Sequence, residues 1–178
     1  KLVESSKFMA LSIEDYLNVS RIEAGNMKYE LSDFNLREIA EKVVDEMRPV
    51  AMKKGLVLVY RSDTNGSNMV HADIGKTRQV IMNLIDNSVK YTPAGKITVS
   101  LTKENGKIKF SVKDTGIGMR PETITSLFQK FARAYNANKT NIHGTGLGLF
   151  VAKQIVDAHH AKVWVTSEGE EKGSQFFV

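Results

Sequence analysis

Three polar side chains stand at helical spacing in Asn83-Leu84-Ile85-Asp86-Asn87-Ser88-Val89-Lys90-Tyr91. Asn83 and Asn87 are one helical turn apart and Lys90 follows one turn later, so a helix would put all three on one face. Two amide oxygens beside an ammonium could hold a hard cation together with phosphate oxygens. Mg²⁺ prefers oxygen ligands of this kind and keeps waters and substrate phosphates in its shell. Taken alone, the same residues also describe an ordinary solvated helix face. A second pattern, Asp114-Thr115-Gly116-Ile117-Gly118, follows a β-rich run. A carboxylate there can accept from an exocyclic amine, and the glycines let backbone approach a flat ligand. Such turns are also common without any ligand. The third pattern is Gly144-Thr145-Gly146-Leu147-Gly148-Leu149 at the entrance to an apolar helical run. Backbone N–H groups at a glycine-rich helix start attract anions. It lacks the Gly-Lys-Ser/Thr ending of a Walker loop and the preceding strand of a dinucleotide fingerprint, and a ligand-free hinge is its plain alternative. Finally, Phe128 and Phe131 precede a polar stretch, residues 132–143, that contains Arg133 and Lys139. That composition suits a lid anchored by aromatics, or equally a surface loop.

The elements that must position these residues can be read from periodicity. Residues 1–24 predict a helix whose stripe is Leu2, Ser6, Met9, Ile13, Tyr16 and Ser20, widened by Phe8 and Leu17 and stopped by Gly25-Asn26. The stripe needs a partner, either its own domain or a helical bundle completed upstream or by a second subunit. Tyr29, Leu31 and Phe34 suggest a short strand. Asn35 with Glu38 forms a capping-box-like start for a helix to about Lys54, closed by Gly55. A β-rich run covers residues 56–60, and Asn65-Gly66 marks a turn. Asp73 can cap a helix carrying Val80, Ile81, Leu84, Ile85 and Val89, which ends before Pro93. Strands at 96–103 and 107–113 flank Glu104-Asn105-Gly106 as a hairpin. A helix at about 146–159 and strands at 163–166 and 175–178 complete an expected α+β sandwich with one antiparallel-rich sheet and helices on one face.

The chain has 178 residues, 42% of them apolar and 25% charged, which excludes a fibrous or disordered polymer. With no cysteine, disulfide scaffolds, thiolate metal sites and thiol nucleophiles are excluded, and a reducing compartment fits. No apolar run approaches the roughly 20 residues a membrane helix needs. The net charge of +5 is mild and lacks long basic runs with interleaved aromatics, so nucleic acid is not the expected partner. The lack of an initiator methionine suggests a piece of a longer protein.

In order and spacing, the four patterns resemble the ATP-binding domain of sensor histidine kinases, within the superfamily of gyrase, Hsp90, histidine kinases and MutL. Residues 79–92 are similar to its N box, 114–118 to its first glycine box, 128–131 to its F box and 144–149 to its second glycine box. Gly173-Ser174-Gln175-Phe176 is similar to a short final box, and Ser20-Arg21-Ile22-Glu23-Ala24-Gly25 resembles the end of the dimerisation and phosphotransfer hairpin. The resemblance implies a Bergerat-type two-layer sandwich at 26–178, preceded by hairpin helix at 1–25. It further implies ATP and Mg²⁺ as ligands. Asn87 would be the metal ligand, with Asn83 near metal and phosphates and Lys90 on phosphate. Tyr91 would lie along the ribose-phosphate side, and Asp114 would accept from the adenine amine. Gly116 and Gly118 would admit the base. Gly144, Gly146 and Gly148, with Leu147 between the last two, would wrap the phosphates, and Arg133 would present a cation to the γ-phosphate. Ser88 stands where the family more often has Ala, and Glu171 where the last box often has Gly.

Hydrolysing relatives carry a Glu at the position of Asn83 as the base for water. An amide takes no proton at neutral pH, so transfer to a protein acceptor is expected instead. The family's acceptor histidine sits in an H-E-x-x-T/N-P-like box, and His71, His143, His159 and His160 all lack that context. The expected partners are therefore a phospho-acceptor hairpin, a response regulator and a second copy through the hairpin. The setting implied is a cytoplasmic piece of a membrane-anchored bacterial parent. A nucleotide-dependent interaction module, or an ATPase of the same superfamily, is the alternative.

Overall fold

The computed structural model describes Ile13 and residues 16–63, 67–132 and 145–178. Leu2, Ser6, Phe8 and Met9 of the N-terminal stripe, the Asn65-Gly66 turn, and Arg133, Lys139, His143 and Gly144 lie outside the described residues.

A helix at 16–23, α1, leads through residues 26–30 into β1 (Leu31–Asn35) and α2 (Leu36–Lys53). Asn35 caps α2 by accepting from the Arg37 N–H, and its side-chain amide donates to Glu38 Oε1 at 3.1 Å, so the two residues meet side chain to side chain in place of the reciprocal backbone bonds of a capping box. β2 (Leu56–Ser62), β3 (Met69–Asp73) and α3 (Ile74–Tyr91) follow. Asp73 caps α3 by accepting from the Lys76 N–H. The hairpin of β4 (Gly95–Glu104) and β5 (Lys107–Asp114) precedes a short α4 (Pro121–Ser126). α5 (Gly148–Ala158), β6 (Trp164–Thr166) and β7 (Ser174–Phe177) close the chain.

The strands form two sheets where the sequence suggested one. Five strands run in the order β2-β4-β5-β7-β6, and β1 pairs antiparallel with β3 in a separate ribbon. In the larger sheet only β2 and β4 are parallel, because the chain between them crosses over through β3 and α3. β3 escaped the sequence reading because Met69-Val70-His71-Ala72-Asp73 carries a single β-branched residue, and pairing with β1 makes it a strand. α4, of six residues with Pro121 in its first turn, is too short for a periodic signal.

The core lies between the five-stranded sheet and its helices. α2 buries Ala40, Val43, Val44 and Met47, α3 buries Val80, Ile81, Leu84 and Ile85, and α5 buries Val151, Ala152 and Ile155. The sheet face opposing them carries Ile97, Val99, Leu101, Phe110, Val112 and Phe176, all buried. The alternate positions Thr98, Ser100, Lys109 and Lys113 leave the other face polar, which is the expected single-sided packing.

At the positions described, the N-terminal stripe does not dock on its own domain, the first of the two partners its pattern allowed. Ile13 and Tyr16 are 61% and 66% exposed, and Leu17 and Ser20 also face solvent. The residues of α1 that dock on the domain are Asn18, Val19 and Ile22, followed by Met27. The apolar stripe and the docking face are therefore different sides of one helix.

Candidate functional site

Asp114 is the last residue of β5, opposite Ile97 of β4 and Ser174 of β7, and only 4% of it is exposed. Its Oδ1 accepts from the Gly116 N–H at 2.9 Å and from the Ser174 N–H at 3.2 Å. Its Oδ2 receives one long contact, from the Ser88 hydroxyl at 3.4 Å. One oxygen is thus committed to backbone and the other retains acceptor capacity. Burial pushes the Asp114 carboxyl above its ordinary value, against the three hydrogen bonds that favour the ionised form.

The glycines here are required by space. A Cβ on Gly116 would fall 2.4 Å from the Tyr91 carbonyl oxygen and 2.8 Å from Asp114 Oδ1. On Gly173 it would fall 2.1 Å from the Asp114 carbonyl oxygen, at a φ of +70°. The Ile117 N–H donates to the Tyr91 carbonyl at 3.1 Å, fastening this turn to the end of α3. Buried Thr92 continues that junction by donating to the Ser88 carbonyl at 2.7 Å.

The second part of the site is the outer face of α3. Asn83, Asn87 and Lys90 are half-buried along it, as their spacing predicts. The Asn83 side-chain amide donates to the Gly148 carbonyl at 2.9 Å, which turns its oxygen elsewhere. A Cβ on Gly148 would lie 3.5 Å from that amide carbon, so the start of α5 comes close against Asn83. Among the described residues, nothing hydrogen-bonds the Asn87 side chain. Lys90 pairs with Asp86 at 2.6 Å, both side chains 39% exposed, a pairing weak enough to exchange for another anion. Lys54 donates to the carbonyls of Val89 and Lys90 at 2.6 and 2.7 Å, capping the C-terminus of α3. Burial lowers its pKa, and nearby Asp86 opposes that shift.

Gly146 takes a φ of +71° beside the backbone of Phe131 and Ala132, and Leu147 is buried as the residue before α5. Gly118 has a φ of +65° and bridges to Glu170. The two F-box phenylalanines divide, with Phe128 packed on the core and Phe131 66% exposed. Between them, Lys130 sits 5.3 Å over the Phe150 ring and pairs with Glu23 of α1.

The structure therefore brings Asp114, Gly116 and Tyr91 into one junction and sets Asn83 against Gly148. The sequence reading missed Ser174 and Thr92 as partners in that junction, and Lys54 as the cap of α3. Ser88, noticed only as a departure from a family pattern, supplies the hydroxyl facing Asp114.

The fold and site together are a two-layer sandwich with a buried carboxylate at a strand end, set between glycine turns. A family model described as "Histidine kinase-, DNA gyrase B-, and HSP90-like ATPase" matches residues 72–178, and the chain belongs to that family. Sensor protein GacS of Pseudomonas syringae pv. syringae is 32% identical across 99% of this chain, which spans 20% of that protein's length. Full-length ShkA in complex with AMPPNP superposes with a TM-score of 0.84 at 27% identity, over 98% of this chain and 36% of that one. The nucleotide-free catalytic domain of the histidine kinase ThkA gives 0.71 at 27% identity, over 83% of this chain and 95% of that one. Over most of its length the chain is thus similar to a sensor protein and to the catalytic domain of a histidine kinase.

Proposed function

We propose that this chain supplies the ATP-binding half of a phosphoryl transfer, moving the γ-phosphoryl of ATP to a histidine on a hairpin helix upstream, for relay to an aspartate of a response regulator. In this reading residues 1–25 are the end of that hairpin, residues 26–178 are the catalytic domain, and dimerisation occurs through the hairpin. The setting is the cytoplasmic side of a membrane-anchored bacterial parent. No helix among the described residues is long and apolar enough to cross a membrane.

The observation that carries the reading is the Asp114 carboxylate, which is buried and held by two backbone N–H groups on one oxygen. Its second oxygen can accept from the 6-amino group of adenine, whereas guanine presents a carbonyl there and would oppose two acceptors. Gly116 and Gly118 keep side chains out of that approach, and Tyr91 lies on the ribose-phosphate side. On α3 the amide oxygens of Asn83 and Asn87 fit a hard, oxygen-seeking cation, with Asn87 as the metal ligand. Such a cation, Mg²⁺ in this reading, neutralises phosphate charge when bound. Lys90 adds positive charge toward the phosphates, and the backbone of Gly146, Leu147 and Gly148 lines their oxygens in this reading; the roles expected of Arg133 and Gly144 fall outside the described residues. Asn83 cannot serve as a base for water, which favours a protein acceptor over hydrolysis.

The test is calorimetry of ATP binding to the 178-residue chain, followed by addition of a separately made hairpin carrying the acceptor histidine, with γ-labelled ATP. Tight ATP binding, slow phosphate release alone and acid-labile, base-stable label on the hairpin are expected. Rapid phosphate release without the hairpin would instead indicate an ATPase.

A further inference from the structure

α3 and α5 lie side by side and meet through two polar rungs. At one, the Asn83 amide donates to the Gly148 carbonyl at the start of α5. At the other, the Asp73 N–H at the start of α3 donates to Nε2 of His159 at the end of α5, at 3.0 Å. The helices are therefore antiparallel. The rungs stand about 15 Å apart along each, at 1.5 Å per residue. One rung belongs to the candidate nucleotide site and the other does not.

The second rung is unusually well defined. Nδ1 of His159 lies 2.7 Å from the Ile155 carbonyl oxygen, which can only accept, while the Asp73 N–H can only donate. The imidazole is thereby fixed as the Nδ1–H form, with Nε2 as acceptor. The connection from α1 into the domain converges on the same place. The Tyr29 ring meets the imidazole edge-on with centroids 5.2 Å apart, and the Glu30 N–H donates to Asp73 Oδ2 at 2.8 Å. Asp73 uses its other oxygen to cap α3. A single histidine thus touches the incoming connection, the start of the helix carrying Asn83 and Asn87, and the end of the helix that begins at Gly148.

We infer that His159 is a positioning residue for the nucleotide site: it reads where residues 29–30 sit and sets the register of α3 against α5, on which the Asn83–Gly148 contact depends. A displacement of Tyr29 and Glu30 moves the far rung. Helices packed through a close-packed core pass that movement to the near rung instead of absorbing it. This rests on the ATP reading above, and it adds a route from the α1 connection to the site.

The experiment is calorimetric titration of ATP with Mg²⁺ into the full chain and its variants, with a thermal melt of each. His159→Leu fills the space but accepts nothing, and should weaken ATP by roughly threefold to tenfold, the loss expected for one transmitted hydrogen bond. His159→Gln offers an acceptor oxygen to the Asp73 N–H and should restore most of the affinity. Tyr29→Ala should weaken ATP as well. The double variant Tyr29→Ala with His159→Leu should be no weaker than the worse single one, because both act through one contact. If His159→Leu does not fold, the Gln and Tyr29 variants still decide the matter. Wild-type affinity in His159→Leu with only a lowered melting temperature would overturn the inference, as would multiplying effects in the double variant. A wild-type chain that binds no ATP would overturn the functional reading and this inference together, whereas normal wild-type binding with unaffected variants would overturn this inference alone.

Discussion

At the Asp114 end of the site, two backbone N–H groups and a serine hydroxyl converge on one buried carboxylate, and Gly116 and Gly173 leave no room for a side chain. On the α3 face, the Asn87 side chain has no hydrogen-bond partner among the described residues, and Lys90 pairs with its half-buried neighbour Asp86. The first region is finished before any ligand arrives, while the second has donors and acceptors to spare. Under the proposed function, the contrast teaches how a site can be rigid where it would select the base and adjustable where it would hold the phosphates. A base of fixed outline is matched best by a preorganised acceptor. Phosphates change charge and position during transfer and suit groups that can exchange partners.

The largest effect is expected on the adjustable side. Asn87→Asp keeps an oxygen ligand but adds a negative charge facing phosphates. We expect weakened ATP binding and transfer to the hairpin reduced by about 100-fold or more, the scale seen when one electrostatic contact to a reacting group is spoiled. Undiminished transfer in a labelling assay would remove Asn87 from the metal assignment.

Next in size is a break in the rigid side. Gly173→Ala drives a methyl against the Asp114 carbonyl oxygen and strains a left-handed backbone, so β7 must shift away from β5. Chemical denaturation should show a loss of about 2–4 kcal/mol, in the range of backbone clashes at special φ angles. Gly148→Ala meets Asn83 at ordinary contact distance and should cost much less stability while still disturbing ATP affinity. Equal losses for the two would erase the contrast.

Acidification should also separate the regions. Burial holds the Asp114 carboxyl above its ordinary value, so the folded chain binds that proton more tightly than the unfolded chain. This group's contribution to stability is present below its unfolded pKa and is lost as pH rises through the folded pKa. Binding runs the other way, because only the ionised carboxylate leaves both oxygens as acceptors. ATP affinity should therefore fall on acidification at a higher pH than an ordinary carboxylate titrates, and the fall should vanish in Asp114→Asn. An identical pH profile in the two proteins would contradict this.

Much of the adjustable side was legible in sequence, because Asn83, Asn87 and Lys90 are governed by one helical period. α3 itself announced both its cap, Asp73, and its buried stripe. Helices α2, α3 and α5 and the β4–β5 hairpin followed from period and turn chemistry, whereas α4 did not. The rigid side was legible only in part. Asp114 and its glycines stand together in the chain, but Ser174 lies 60 residues away and reaches the carboxylate through its backbone, which carries no residue-type signal. β3 and the second sheet were hidden for a similar reason, since their pairing is tertiary. The α1 stripe was read from period alone, and period cannot tell a face that docks on its own domain from one left for another helix.

The central claim is that base selection is built into the Asp114 side independently of the metal on the α3 side. The most direct measurement titrates ATP and GTP into the wild-type chain, each with Mg²⁺ and with a chelator. The expected result is a preference for ATP of about 5- to 150-fold, corresponding to about 1–3 kcal/mol for one opposed buried acceptor, preserved when Mg²⁺ is removed even as both affinities fall. Equal affinities for ATP and GTP, or a preference that disappears with the metal, would contradict it.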